Sequence, residues 1–305
     1  MLERPQITLY FCHLIEAELT EATKAILQSW LPQDETDKVN RYIKQSAKEQ
    51  GLLVRGFLRA LLSKQVSHLL SQQANLQPDE WRFKYGEKGK PRLSDEQFLQ
   101  TGLHFNLSHS GDWLVVGICE LQGLAAHSLE FGVDIERCRS STNIHSILSH
   151  YFSEPEQAAL LALPQELQRA RFFDLWALKE SYIKAKGSGL ALSLKSFAFD
   201  FSSLIETSIE LDVTQSLNYT AASKGRSDIQ QLPCKHNIGL SLQQASDDKQ
   251  AGNDPLPQLM RPAKDWHCWL GDLDDSYRFA VSVGQCQQAS IKAKLINLPS
   301  LLASL

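Results

Sequence analysis

The sequence predicts an α+β fold of two similar-sized lobes, each with helices packed on a small, mainly antiparallel sheet. Three observations carry this expectation. Apolar residues recur at helical spacing over 34–70 and 165–186. Short apolar and alternating segments gather separately in each half, around 103–119 and 266–283, and read as hairpins. No glycine-rich phosphate loop of the P-loop or Rossmann kind is present.

A chain of 305 residues holds one large core or two modest ones. With 43% hydrophobic and 22% charged residues, it has the composition of an ordinary soluble globular protein. A formal net charge of -4 argues against general nucleic-acid binding and leaves anionic ligands to local clusters of Lys and Arg. Cys12, Cys119, Cys138, Cys234, Cys268 and Cys286 form no C-x-x-C pair and lack zinc-finger spacing from histidine. They read as free thiols in a reducing cytosol. No apolar leader core develops at the N-terminus, and no stretch approaches membrane-spanning length. The expectation is a cytoplasmic protein without nucleic-acid or membrane partners.

In chain order, 7–13 reads as a strand and 34–70 as a helical region. Leu52, Leu53, Phe57, Leu58, Leu61 and Leu62 form its buried stripe, while Lys44, Lys48, Arg55 and Arg59 read as a solvated face. A strand at 81–85 leads into the turn-rich Gly86-Glu87-Lys88-Gly89-Lys90-Pro91. The strand 103–107 ends in Ser108-His109-Ser110-Gly111 and pairs as a hairpin with 113–119, after which 120–130 is irregular. A further strand covers 131–136. Helices follow at 144–151 and 154–163, the second capped by Ser153. The strongest helix, 165–186, stops at Gly187, as helices do where the chain must turn left-handed. Beyond it lie strands at 197–201 and 208–213, a Ser- and Gln-rich variable segment at 214–262 with one strand near 238–242, and a hairpin formed by 266–270 and 277–283.

Three segments can carry chemistry, and each has two readings. In Gly132-Val133-Asp134-Ile135-Glu136, strand alternation puts both carboxylates on one face, about 7 Å apart. Burying such a pair is costly unless a cation lies between them, and oxygen ligands with open positions suit Mg²⁺. Taken alone, the segment reads rather as an exposed amphipathic strand with its acids in water. On the 165–186 helix, Glu180 and Lys184 stand one turn apart. They are either a surface pair worth ~0.3–0.5 kcal/mol or a metal ligand beside a phosphate-binding cation. The run Phe105-Asn106-Leu107-Ser108-His109-Ser110-Gly111 presents donors to an anion or satisfies an ordinary turn.

Taken together and in order, Gly89-Lys90-Pro91, Phe105 to Ser110, Gly132 to Glu136 and Trp176-Ala177-Leu178-Lys179-Glu180-Ser181-Tyr182-Ile183-Lys184, closed by Gly187 and Gly189-Leu190, resemble the motifs of the 4′-phosphopantetheinyl transferases. The likeness is to the larger, monomeric, surfactin-synthetase-activating type and covers about 34–201. It implies two related lobes in pseudo-twofold arrangement, 1–128 and 129–305, with coenzyme A in the cleft between them. The activity it implies is Mg²⁺-dependent transfer of phosphopantetheine from coenzyme A to a serine of an apo-acyl or apo-peptidyl carrier protein. By the same resemblance, Asp134, Glu136 and Glu180 are the Mg²⁺ ligands. Lys38, Lys90, Pro91, Ser108 and His109 become coenzyme A contacts, and Lys179 and Lys184 phosphate contacts beside the metal. Either Glu180 or a metal-bound water is the general base, with Lys184 as the catalytic cation. Three departures stand out: Glu35 and Gln50 where relatives often carry Lys or Arg, an enlarged stretch between Cys119 and Phe131, and a 214–262 segment without counterpart. Two alternatives stay open: a non-catalytic binder of coenzyme A or carrier, and another Mg²⁺-dependent hydrolase or phosphotransferase.

Overall fold

The computed structural model describes residues 4–15, 19–69, 76–121, 128–215, 229–243 and 260–305. Most of the enlarged 120–130 stretch and of the 214–262 segment therefore lies outside the described residues. The first half contains β1 (Gln6–His13), α1 (Glu21–Ser29), α2 (Gln33–Asn40), α3 (Gln45–Leu69), β2 (Phe83–Tyr85), β3 (Pro91–Leu93), α4 (Asp95–Thr101), β4 (Leu103–Ser110) and β5 (Trp113–Glu120). Next come β6 (Glu130–Arg137), α5 (Ile144–Tyr151), α6 (Glu154–Leu161), α7 (Gln165–Lys186), β7 (Phe197–Asp200), β8 (Ile205–Gln215), β9 (Ile229–His236) and β10 (Gly239–Gln243). The chain finishes with β11 (Met260–Pro262), β12 (His267–Asp274), β13 (Tyr277–Gly284), β14 (Ser290–Ile296) and α8 (Leu298–Leu302).

Local chemistry accounts for the element ends. At α6 the Ser153 backbone N–H and hydroxyl both donate to Glu156, a capping box with Pro155 in the first turn. Helix α7 stops because Gly187 adopts φ +66°, and its N–H bonds to the Ile183 carbonyl. The helical region expected over 34–70 breaks between α2 and α3, and the β4 strand runs on through Ser110 instead of ending at Leu107.

The fold is mixed α/β, and its strands depart from the two small sheets expected. Nine of them form one sheet in the order β4-β5-β1-β14-β8-β9-β12-β13-β6. The joint is β14, which pairs in parallel with β1 (Phe11↔Leu295) and with β8 (Ala293↔Leu211). A parallel partner needs a long connection, so neighbouring residues carry no sign of it.

Side-chain alternation then sorts the core. Ile7, Leu9, Phe11, Val133, Ile135, Phe279 and Val281 fill one buried cluster on the sheet. Tyr10 and Cys12, of opposite parity on β1, join Phe57, Leu61 and Leu62 of α3 in a second. A third packs α7 through Phe172, Leu175, Leu178 and Tyr182 against β7 and β12. No helix among the described residues is long and apolar enough to cross a membrane.

Candidate active site

Strands β4 and β6 end the sheet order at opposite sides, yet side chains bind them to each other. The Val133 N–H donates to Asn106 Oδ1 (3.0 Å), the Ser108 hydroxyl donates to Asp134 Oδ1 (2.8 Å), and the Arg137 N–H donates to Ser110 Oγ (3.2 Å). Residues 106, 108 and 110 have one parity, so a single edge of β4 supplies all three bonds. This seam replaces a backbone ladder and brings the polar run of β4 against the acidic strand.

Helix α7 lies across β6 and β13. Gly132 makes this possible, because a Cβ there would collide with the Ser181 carbonyl oxygen and the Ala185 nitrogen. A buried hydroxyl pair, Ser181 Oγ to Ser282 Oγ at 2.7 Å, pins the helix to β13. The register so fixed turns Lys184 toward the seam. Its Nζ stands 2.6 Å from Asp134 Oδ1 and 2.5 Å from Ser108 Oγ.

The acids around Lys184 are poorly solvated. Asp134 is 3% exposed, and its second oxygen, Oδ2, is buried with no hydrogen-bond partner. Burial pushes its carboxyl above the usual range, although Lys184 and Ser108 oppose this. Burial first, and the Asp134 charge second, push Glu136 up to about 7. The same two causes raise Glu180. Among the described residues no three His, Cys, Asp or Glu side chains already converge as a metal cage; Lys184 holds the Asp134 carboxylate instead. The unpartnered Oδ2 of Asp134 is one hard oxygen donor of the kind Mg²⁺ takes, and Glu136 and Glu180 lie within reach of the Asp134 charge.

A cleft of about 300 Å³ adjoins the seam, walled by Lys88, Gly89, Lys90 and Pro91, by Asn106 and Leu107, and by Glu180, Ile183, Lys184 and Gly187. Lys90, Pro91, Glu180 and Lys184 thus share one cavity, with Ser108 and Asp134 bonded to Lys184 at its edge. The Lys90 ammonium donates to the carbonyls of Ala185 (2.8 Å) and Phe131 (3.2 Å). Burial lowers its pKa to about 8. His109 shows one side to solvent at the end of β4. Crowding on its other side, with the Lys184 and Arg55 charges, holds the imidazole below its ordinary value.

Four expected contacts are not in the cleft wall: Ser108 stands at its edge, His109 at the exposed end of β4, and Lys38 and Lys179 are engaged elsewhere. Lys38 sits on α2 with its ammonium 3.9 Å from the Tyr85 ring centroid and 3.4 Å from Asp34 Oδ2. Lys179 requires correction as a phosphate contact: it is 0% exposed, ion-paired to Glu156 Oε2 at 2.8 Å, and donates to the Leu194 and Phe197 carbonyls. Adjacent helical residues point about 100° apart, so Glu180 and Lys179 cannot serve one site.

The two departing residues, Glu35 and Gln50, have structural roles. Glu35 is buried against Arg59, 2.9 Å away, and lies 4.0 Å from Arg55. Gln50 donates to the Gly111 carbonyl at 3.1 Å. Arg55, read from sequence as part of a solvated face, is half-buried between Glu35 and His109. Arg59, one turn further on and read with it as solvated, is fully buried, its guanidinium held by Glu35 and by the Pro78 and Trp81 carbonyls.

Two family models match parts of the chain. The model of the 4′-phosphopantetheinyl transferase superfamily matches residues 130–235, and that of the N-terminal part of a 4′-phosphopantetheinyl transferase matches 18–120. The 4′-phosphopantetheinyl transferase HetI of Nostoc sp. is 31% identical over 54% of this chain and 63% of its own length. For Sfp of Bacillus subtilis the figures are 36%, 50% and 62%. For ffp, also of Bacillus subtilis, they are 34%, 59% and 76%. The matches to HetI and Sfp therefore span less than two thirds of those relatives.

Proposed function

Since the chain belongs to the 4′-phosphopantetheinyl transferase superfamily, we propose that it moves the phosphopantetheine arm of coenzyme A onto a serine of an apo-acyl or apo-peptidyl carrier protein, releasing 3′,5′-ADP. The observation that carries the reading is the Lys184–Asp134–Ser108 cluster at the edge of a cleft that also holds Glu180 and Lys90.

The reaction makes one P–O bond and breaks another. The carrier serine oxygen attacks the phosphate attached to pantetheine, and 3′,5′-ADP leaves with the bridging oxygen. Little covalent work falls to the protein, so positioning and charge neutralisation dominate. Lys184 offers an ammonium to the diphosphate, and its bond to Asp134 keeps the long side chain aimed at the seam. Lys90 supplies a second cation, its stem laid against Gly187. Pro91, Ser108 and His109 line the path of the nucleotide, with Lys38 as an outer basic contact. Glu180 accepts the serine proton; its raised pKa brings a carboxylate closer to the operating pH, where a general base is most effective. A water in the cleft is the alternative acceptor. Asp134, Glu136 and Glu180 would hold Mg²⁺, which when bound neutralises diphosphate charge and polarises the phosphorus.

The reading carries with it a monomer that acts in the cytoplasm, without nucleic acid or membrane. Residues 1–128 and 129–305 are then two related lobes about a pseudo-twofold axis. On this reading the β4–β6 seam is a contact between the two lobes.

The test is incubation of the protein with coenzyme A, Mg²⁺ and a panel of apo-carriers, read by intact mass. Transfer adds about 340 Da to the carrier, a covalent modification that binding cannot mimic. Glu35 and Gln50, engaged in internal bonds where cations were expected, favour one second reading, a binder that transfers nothing. It predicts coenzyme A binding with carrier mass unchanged throughout the panel.

A further inference from the structure

The tip of the β4–β5 hairpin, Ser110 to Asp112, carries none of the residues assigned above but follows Ser108 and His109 directly. It is gripped from two sides. From α3, the Gln50 amide donates to the Gly111 carbonyl at 3.1 Å. From β13, the Tyr277 hydroxyl accepts the Asp112 N–H at 3.0 Å. Gly111 has φ +55°, and a Cβ on it would collide with the Tyr277 oxygen, so the fit allows no other residue. Tyr277 is itself 4% exposed and pairs across the ladder with Arg137 of β6.

Strand β13 gives this contact its consequence. The same pairing sets Ala280 opposite Asp134, so Tyr277 and Asp134 belong to one rigid strand pair. Ser108 and His109, by contrast, reach that pair only through side chains at the seam. A hydroxyl rooted on the acidic side and closed on the hairpin tip therefore fixes how far His109 and Ser108 stand from Asp134 and Lys184.

We propose that Tyr277 and Gln50 are positioning residues for donor binding, a two-sided clamp that sets the Ser108–His109 edge against the Asp134–Lys184 pair. This rests on the reading that the cleft binds coenzyme A.

The experiment compares wild type with Tyr277→Phe, Gln50→Ala and the control Tyr10→Phe. Tyr10 is another buried tyrosine on β1, whose hydroxyl donates to Gln65 Oε1 at 2.9 Å, about four turns along α3 from Gln50. Calorimetry gives the coenzyme A Kd, turnover gives kcat and both KM values, and melting gives Tm. Loss of one hydrogen bond is expected to weaken coenzyme A binding by about fivefold in Tyr277→Phe and Gln50→Ala. The carrier KM stays at the wild-type value, and the Tm change in Tyr277→Phe matches that of Tyr10→Phe. Should Tyr277→Phe not fold, the change at half-buried Gln50, Gln50→Ala, carries the same expectation. Coenzyme A binding in these variants equal to wild type, or altered no more than in Tyr10→Phe, overturns the clamp while leaving the transferase reading intact. Failure of the wild type itself to bind coenzyme A overturns both.

Discussion

Lys184 Nζ and Asp134 Oδ1 stand 2.6 Å apart across the contact between α7 and β6. The pair is asymmetric. Asp134 is almost sealed from solvent on a rigid strand, whereas Lys184 is partly exposed and can follow a ligand. Asp134 is thus the fixed partner and Lys184 the movable one, which sets the first two expectations.

Asp134→Asn keeps the shape of the side chain and removes the charge. Transfer to an apo-carrier is expected to fall by at least about 100-fold, as when a preorganised charge-stabilising group is lost. Because the carboxylate is already penalised by burial, Tm should hold within a few degrees. Parallel mass spectrometry and melting measure both, and full activity at ordinary Mg²⁺ would refute the assignment.

Lys184→Ala should depress kcat more than coenzyme A affinity, since the ammonium is needed most where charge grows in the transition state. Single-turnover rates beside equilibrium binding separate the two. A change confined to KM would make Lys184 a uniform binding contact.

Glu136 gives a pH signature. Its folded pKa of about 7 lies above the ordinary glutamate value, so the folded state binds more protons than the unfolded chain between those limits. Its contribution is fully present at low pH and is lost as pH rises through the window up to about 7. Melting of the metal-free protein should show this loss, and Glu136→Gln should flatten it. Added Mg²⁺ should raise Tm more at pH 8 than at pH 5.

Gly132→Ala tests the approach of α7. The colliding atoms are backbone, so α7 has to move as a body, and a cost of at least about 1–3 kcal/mol is expected. Denaturant titration reads the stability. At low denaturant the displaced Lys184 should also lower transfer.

Lys179 and Glu156 are expected to behave as a buried structural pair. Lys179→Met or Glu156→Gln alone leaves a polar group stranded and should cost about 3–5 kcal/mol, while the double change costs less than the sum. Where Lys179→Met folds, its coenzyme A Kd should equal that of wild type. A large rise in Kd at unchanged stability would return Lys179 to the phosphates.

Much of the candidate site was legible because its signals are local. The shared parity of Asp134 and Glu136 follows from the pleat of β6, and the one-turn spacing of Glu180 and Lys184 from the helix repeat of α7. Gly187 ended α7 where its left-handed conformation is needed. Other elements carried weaker signals. The short helices α1 and α4 have few apolar residues, and β14 depends on parallel partners distant in sequence.

Local pattern alone thus settled which residues of β6 and α7 share a face and that α7 stops at Gly187, since periodicity is decided within one turn or one pleat; it missed the break between α2 and α3 and the true end of β4. Packing decided that Lys184, and not Lys179 five residues before it, meets Asp134. It also joined two expected sheets into one and turned Glu35 and Gln50 inward as internal partners. These choices depend on close packing between segments far apart along the chain, such as the bare Gly132 surface that admits α7. No local pattern records such a fit.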